Sequence, residues 1–481
     1  MKILLYNWVQ FDDSKRRGGG VTVYLADLLK QVCTSKDWDC YFLSSGLEYT
    51  FDGRLRIERT INELGNKVKS FTVVNSPIHA PASVQFSKID EFGSDKSLCS
   101  LIDAFLKEHG PFDVIHFHNF EGISLSVLKL KERYPKTRFV YSMHNYFAFC
   151  PQVNLWSPKG NCYLKPCFPN CSNCVISGSG KTEQFIGSLK SYLKLNTSKD
   201  RRIVRCLKRM ADCVRSMSAK REKHVASFVA NDMVYQDYRR GNVQAINNYF
   251  DAVLAVSERV SQIAEAYGIL PSKLIVSYIG TKAAMHRVPP KRTSGDILRI
   301  GYLGYARKDK GFDFLLQALD KVPADTASRI VLVLAAKCET EDELSSYSAQ
   351  IESLRARFKS ITFSNGFTKD NQGLLLEQID LGVVPSLWED NLPQIAIEYV
   401  ANGVPILASD VGGTCELCTN STFVYQSTDV VALKNSLTYF AENPERVNQF
   451  WNTYPVLMPM EKHIEELEKI YTMGKIYTTD D

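Results

Sequence analysis

Along the 481 residues of this chain, short runs of aliphatic and β-branched residues alternate with longer stretches whose apolar positions recur every three or four residues. A continuous apolar run of about four to eight residues fits a strand buried on both faces, and the longer period fits an amphipathic helix. Their alternation predicts an α/β fold in which helices cover both faces of parallel sheets. In the first half, strands are expected at 2–8, 40–44, 114–118, 138–143, 252–256 and 274–278; in the second, at 298–303, 330–335, 361–364, 382–385, 405–408 and 422–425. Two stretches interrupt the rhythm. Residues 284–297 gather Pro, Gly, Ser and charge as an interdomain linker does, and 175–250 form a long, polar, mostly helical stretch that reads as an insertion.

Two Rossmann-like domains facing across a cleft are therefore expected. The first is 1–283, with a cysteine-rich loop at 150–174 and the insertion at 175–250; the second is 298–454. A last helix near 460–473, within 455–481, is placed to cross back to the first domain. Length supports the division, because single cores stop growing beyond about 250–300 residues.

Composition narrows the class more than the function. Hydrophobic residues at 44% and charged residues at 23% are ordinary for a soluble globular protein, and no uninterrupted apolar run is long enough for a spanning helix. The apolar start is broken by Asn7, Gln10, Asp12 and Asp13 and lacks a small-residue cleavage site, so it reads as a strand rather than a signal peptide. Thirteen cysteines, an odd number, are scattered through the chain, which argues for a reducing cytoplasm over a disulfide framework. The sequons at Asn196 and Asn420 are then chance matches. A net charge of +5 is small for this length, so only its local distribution carries information.

Three stretches carry candidate chemistry. Gly18, Gly19 and Gly20 follow the first strand and precede a helix, where free amides and the positive helix end suit a phosphate; a plain tight turn is equally open. The stretch LGYARKDKG, 303–311, brings Arg307, Lys308 and Lys310 to the carboxyl end of a strand, the edge at which open α/β sheets bind ligands. Read alone it is an ordinary charged loop. The third is PSLWEDNLPQIAIEYVANGVPILAS, 385–409, in which a strand turns into a helix starting at Pro393. Asp390 before that helix and Glu398 inside it can accept hydrogen bonds from sugar and ribose hydroxyls, while amides near Leu392, Pro393 and Gln394 face a diphosphate. The bland alternative makes Asp390 or Asn391 a helix cap and Glu398 a surface residue.

Together these segments resemble the family 4 glycosyltransferases of the GT-B fold, bacterial polysaccharide enzymes among them, in order and in approximate spacing over nearly the whole chain except 175–250. The family's glycine loop corresponds to Gly18, Gly19 and Gly20. Its Asp-x-x-His-x-His strand end corresponds to Asp113, His116 and His118, its Lys-Gly pair to Lys310 and Gly311, and its E-x7-E pair to Asp390 and Glu398. Two positions depart from the pattern. Glu389 stands beside Asp390, leaving the first acidic position open between them, and Tyr305 occupies the place of the family's usual arginine, with Arg307 the candidate to replace it.

The resemblance implies a retaining, metal-independent glycosyltransferase moving a sugar from a UDP- or GDP-sugar to a saccharide or lipid-linked saccharide in polysaccharide biosynthesis. It puts His118, Asp390, Glu398 and Lys310 in the catalytic set. His118 touches the donor sugar, Lys310 and Arg307 hold the pyrophosphate, Glu398 takes the ribose and Phe367 lies near the base. Gly19, Gly20, Glu389, Asn391, Leu392, Pro393 and Gln394 complete the donor site, and His144, Asn145 and Tyr146 stand on the acceptor side. An epimerase of the same architecture and a non-catalytic nucleotide-sugar-binding protein are the alternatives.

Further features are weaker. Asp37-Trp38-Asp39 has a metal-binding form but precedes a strand instead of ending one, and GSGKT at 178–182 lacks the first glycine and leading strand of a P-loop. The set Cys150, Cys162, Cys171 and Cys174, in a run shared by many relatives of the family, suits a structural zinc; free buried thiols are the alternative. From 181 to 224 there are thirteen Lys or Arg against four acidic residues, with a helical apolar stripe, which suits either peripheral contact with an anionic membrane at its inner face or a solvated helix. Sparse aromatics among these charges argue against nucleic acid.

Overall fold

A computed structural model describes the chain except residues 15–16, 51, 81–93, 158–159, 163–170, 172–231 and 474–481. Cys174, the basic stretch 181–224 and GSGKT lie outside the described residues, as does most of the expected insertion.

The first sheet has eight strands: β1 (Lys2–Tyr6), β2 (Asp39–Glu48), β3 (Arg56–Arg59), β4 (Val68–Val74), β5 (Val114–Phe117), β6 (Arg138–Met143), β9 (Ala252–Ala255) and β10 (Leu274–Val276). Their order is β10-β9-β6-β5-β1-β2-β4-β3, parallel throughout except for β3. A two-stranded hairpin, β7 (Trp156–Ser157) and β8 (Gly160–Asn161), stands apart. Helices α1 (Gly19–Ser35), α2 (Lys96–His109), α3 (Asp232–Tyr249) and α4 (Glu258–Ala266) accompany this sheet.

The second sheet is wholly parallel, ordered β13-β12-β11-β14-β15-β16, from β11 (Leu298–Tyr305), β12 (Ile330–Lys337), β13 (Ser360–Ser364), β14 (Leu381–Val384), β15 (Ile406–Ser409) and β16 (Val424–Tyr425). Its helices are α5 (Phe312–Asp320), α6 (Glu341–Leu354), α7 (Lys369–Glu377), α8 (Gln394–Ala401) and α9 (Val430–Glu442). Central strands such as β12, with the sequence IVLVLAAK, are buried on both faces, as continuous aliphatic runs require.

All twelve strands expected from the apolar runs are present. Four were missed: β3 and β4 of the first sheet, and the two-residue strands β7 and β8 of the hairpin. β3 reads RIER and is the charged, antiparallel edge of its sheet, so its polarity protects an exposed edge instead of marking a loop. β4 carries Lys69 and Ser70 within VKSFTVV and is recognisable only through its pairing with β2.

The last helix, α10 (Met460–Thr472), packs on the first domain. Lys36 Nζ reaches Glu468 at 2.5 Å, and the Trp38 and Tyr471 rings lie 5.7 Å apart. Arg138 donates to the Met473 carbonyl at 2.7 Å. Thr281 N donates to Met458 O at 3.1 Å as the chain returns.

Each sheet has one place where strand order reverses, between β1 and β5 in the first and between β11 and β14 in the second. The connections leaving neighbouring strands there run to opposite sides, opening a crevice at the carboxyl ends. The glycine loop follows β1, His118 follows β5, 306–311 follow β11 and 385–393 follow β14, so topology alone delivers these segments to the crevices.

Candidate functional site

On the second-domain side, Gly311 decides how two loops meet. Its φ is +74°, and a Cβ there would lie 1.7 Å from the Pro385 carbonyl oxygen, so only glycine lets 306–311 press against 385–390. Leu387 N donates to Asp309 O at 2.9 Å across the same contact. Lys310 is thereby turned inward, with Nζ 2.5 Å from Asp390 Oδ2 and 5.0 Å from the centre of the Trp388 ring. Arg307 forms a two-point pair with Asp309 of its own loop at 3.0 and 2.5 Å, and Tyr305 is 44% exposed.

The adjacent carboxylates Glu389 and Asp390 face different ways. Asp390 accepts from Lys310 and Ser386, while the fully buried Glu389 accepts from Arg259 of the first domain at 2.8 Å through each oxygen. Asn391 Nδ2 donates across the cleft to Met143 O at 3.2 Å, and Leu392 is buried. Pro393 is the residue before α8 rather than its first helical position; its extended ψ of 127° holds it outside the helix. Gln394 at the start of α8 donates to Gly20 O at 2.9 Å, which brings the glycine loop to this helix N-terminus.

Glu398 lies one turn further on and is not a surface residue. Burial raises its pKa, an effect opposed by a hydrogen bond from Gln372 Nε2 and by the charge of Lys369. Phe367 is half-buried and follows Gly366, whose φ is +78°.

On the first-domain side, the buried His116 and His118 stack with the partly buried His144. His118 Nδ1 and His144 Nε2 are 3.0 Å apart, and the His116 and His118 rings are 4.1 Å apart. His116 is held at Nδ1 by Tyr471 OH, 2.6 Å, and at Nε2 by Ser142 Oγ, 2.8 Å. Burial, reinforced by the neighbouring histidines, pushes His116 and His118 well below the usual imidazole range and His144 to about 3, so all three are neutral near pH 7. Asp113 accepts from Lys2 N at 2.8 Å, a tie between strand starts at the other end of β5 from His118. Asn145 donates to Glu121 at 3.0 Å. Tyr146 is buried with its ring 6.4 Å from Trp388, and burial together with the charges of Glu389 and Asp390 raises its pKa.

Among the described residues, His118 Nε2, Tyr146 OH, Trp388 Nε1 and Asn391 Oδ1 are buried without a hydrogen-bond partner. Buried polar atoms are ordinarily paired, so unpaired ones of both polarities where 143–146 meet 388–391 mark a surface suited to a polar ligand.

The cysteine loop is less complete. Cys150, Cys162 and Cys171 lie near Tyr267, and Arg239 Nη2 donates to Cys171 Sγ at 2.5 Å. No three His, Cys, Asp or Glu among the described residues are grouped to hold a metal, and Cys174 lies outside them. Asp37-Trp38-Asp39 is accounted for structurally, with Asp39 paired to Lys69 at 2.8 Å and Trp38 packed on Tyr471. Sequence reasoning missed Arg259, Glu416, Gln372 and Tyr471. They come from four separate elements and share no local motif.

Two facing Rossmann-like sheets with a switch-point loop from each meeting across the cleft define a GT-B protein. Residues 289–453, which include the second sheet, match the family described as Glycosyl transferases group 1. Over 117 residues the chain is 28% identical to spore coat protein SA of Bacillus subtilis, covering 24% of this chain and 31% of that one. Over 132 residues it is 30% identical to an uncharacterized glycosyltransferase of Methanocaldococcus jannaschii, covering 27% and 31%. These matches span only about a third of either relative. The whole fold is similar to that of Anabaena HepE in complex with UDP and glucose, with TM-score 0.58, 15% identity and coverage of 98% and 99%. It is also similar to sucrose-phosphate synthase from Thermosynechococcus elongatus, with TM-score 0.57, 12% identity and coverage of 98% of each chain.

Proposed function

We propose that the protein is a glycosyltransferase that moves a sugar from a nucleoside-diphosphate donor, a UDP- or GDP-sugar, to a saccharide or lipid-linked saccharide acceptor with retention of configuration. The observation that carries the reading is the pairing of Lys310 with Asp390 at the second sheet's switch point, where the N-terminus of α8 also meets Gly20. A lysine and a helix N-terminus offer preorganised positive charge where negative charge grows on a departing diphosphate. Asp390 beside Lys310 suits the reacting sugar, Glu398 the ribose, and the neutral His118 can exchange hydrogen bonds with sugar hydroxyls without adding charge. Arg307, exposed on one side, is free to swing from Asp309 to the diphosphate, and Phe367 flanks the base. His144, Asn145 and Tyr146 belong to the acceptor side.

Because these residues supply the charge stabilisation, turnover is proposed to need no divalent metal. Incubation with a panel of nucleotide sugars and candidate acceptors tests the core reading. Acceptor-dependent release of nucleoside diphosphate, undiminished in EDTA, is expected. Sugar isomerisation without an acceptor would make it an epimerase instead.

Two further parts of the reading rest on sequence alone. Structural zinc on Cys150, Cys162, Cys171 and Cys174 predicts about one equivalent in protein purified without chelator, and under about a tenth would overturn it. No helix among the described residues is long and apolar enough to cross a membrane. Peripheral contact of a cytoplasmic protein through 181–224 predicts binding to anionic vesicles that salt weakens.

A further inference from the structure

We propose that Arg259 is a positioning residue: it latches the first domain onto the second through Glu389 and Glu416 and so sets where Asp390 stands in the cleft. The bonds form one junction. Arg259 Nε and Nη2 each lie 2.8 Å from an oxygen of Glu389, the fork-to-fork geometry in which a guanidinium and a carboxylate are strongest. Its backbone N–H and that of Glu258, the first two of α4, donate to Glu416 at 2.8 and 3.1 Å. A carboxylate there meets the positive end of the helix. Tyr278 OH adds a third donor to Glu416 at 2.8 Å. Guanidinium, two amides and phenol thus come from the first domain, and both carboxylates from the second.

The loop carrying Glu416 is knitted to the loop carrying Asp390. Gly412 N donates to Glu389 and Gly413 N to the Asp390 carbonyl, each at 2.8 Å. A Cβ on Gly413 would sit 2.2 Å from Asn391 O and 2.7 Å from Ser257 Oγ, the cap of α4, so second-domain backbone touches both sides of the junction at once. Asp390 is consequently fixed from two directions, by its neighbour's grip on Arg259 and by Gly413 on its own carbonyl, while its side chain faces Lys310. Opening the cleft must strip Arg259 from a carboxylate that is 1% exposed and that also accepts from the Gly412 amide. A charge left so buried is unfavourable, which makes the pair a latch and not a rim contact.

The kinetic arm rests on the glycosyl-transfer reading, and the shape arm does not. Small-angle scattering of the full chain should show a larger radius of gyration for Arg259→Ala and, as a near-isosteric second variant that keeps the fold, for Glu416→Gln. Adding Glu389→Gln to Arg259→Ala should bring no further expansion. Millimolar guanidinium should restore compactness to Arg259→Ala, and in turnover assays lower a donor KM that had risen about tenfold. Wild-type dimensions in both single variants overturn the latch, as does expansion of Arg259→Ala that guanidinium cannot reverse. If the variants expand and are rescued but no form of the protein turns over a nucleotide sugar, the latch stands and the glycosyl-transfer reading falls.

Discussion

On the second-domain lip of the cleft, a lysine and a carboxylate come from loops eighty residues apart and meet at 2.5 Å, the carboxylate buried and the lysine partly open to water. On the first-domain lip, three neutral histidines stack, two of them fully buried, and the stack is tied to a helix more than three hundred residues further along the chain. In the proposed reaction, the first arrangement is the one that would answer charge developing on the leaving group. The second supplies fixed, uncharged hydrogen-bonding groups whose placement depends on everything packed behind them. On the proposed function, electrostatic work and geometric work are divided between the domains, and substitutions on the two lips should fail differently.

The largest effect is expected at Lys310. Lys310→Ala should lower kcat by roughly 10²-fold or more, because charge on the leaving diphosphate grows only in the transition state. A change confined to KM would mean that Lys310 only binds the donor. Asp390→Asn comes next, with a kcat loss of roughly tenfold or more, about 1.4 kcal/mol of transition-state stabilisation. Glu389→Gln should act chiefly on donor KM through Arg259. A silent Asp390→Asn beside a kcat defect in Glu389→Gln would exchange their roles.

The histidine lip predicts a pH effect on stability instead. His116, His118 and His144 are held neutral in the folded protein, below the ordinary value of 6.5, so below about pH 6.5 the unfolded chain binds more protons than the folded one. Stability should be fully present above that pH and fall as pH drops, by up to about 1.4 kcal/mol per pH unit for each histidine. Denaturant melts from pH 7 to 5 measure it, and His116→Asn should flatten the slope. An unchanged midpoint over that window would mean that the stack is protonated or open. The smallest effect belongs to Glu398→Ala, with donor KM up by about tenfold and kcat near normal, since a ribose contact changes little during reaction. A dominant kcat loss there would remove Glu398 from the ribose.

What the chain declares by itself is whatever depends on neighbours in sequence. Aliphatic runs announced twelve of the strands, because burial on both faces leaves few polar residues inside them. Gly311 with Lys310, and the stretch from Pro385 to Glu398, were legible because a strand, its turn and the following helix are contiguous, so residue order is already geometry. The edge strand Arg56–Arg59 was not, since its charges answer to solvent at a sheet edge and mimic a loop. Nor could residue order assign Glu389 and Asp390. One residue apart, they point to opposite partners, and only the approach of Arg259 from the other domain separates them. The same holds for Tyr471 on His116 and Gln372 on Glu398. Such contacts join side chains that no periodicity relates, through burial and charge that exist only once two sheets and a returning helix have closed around them.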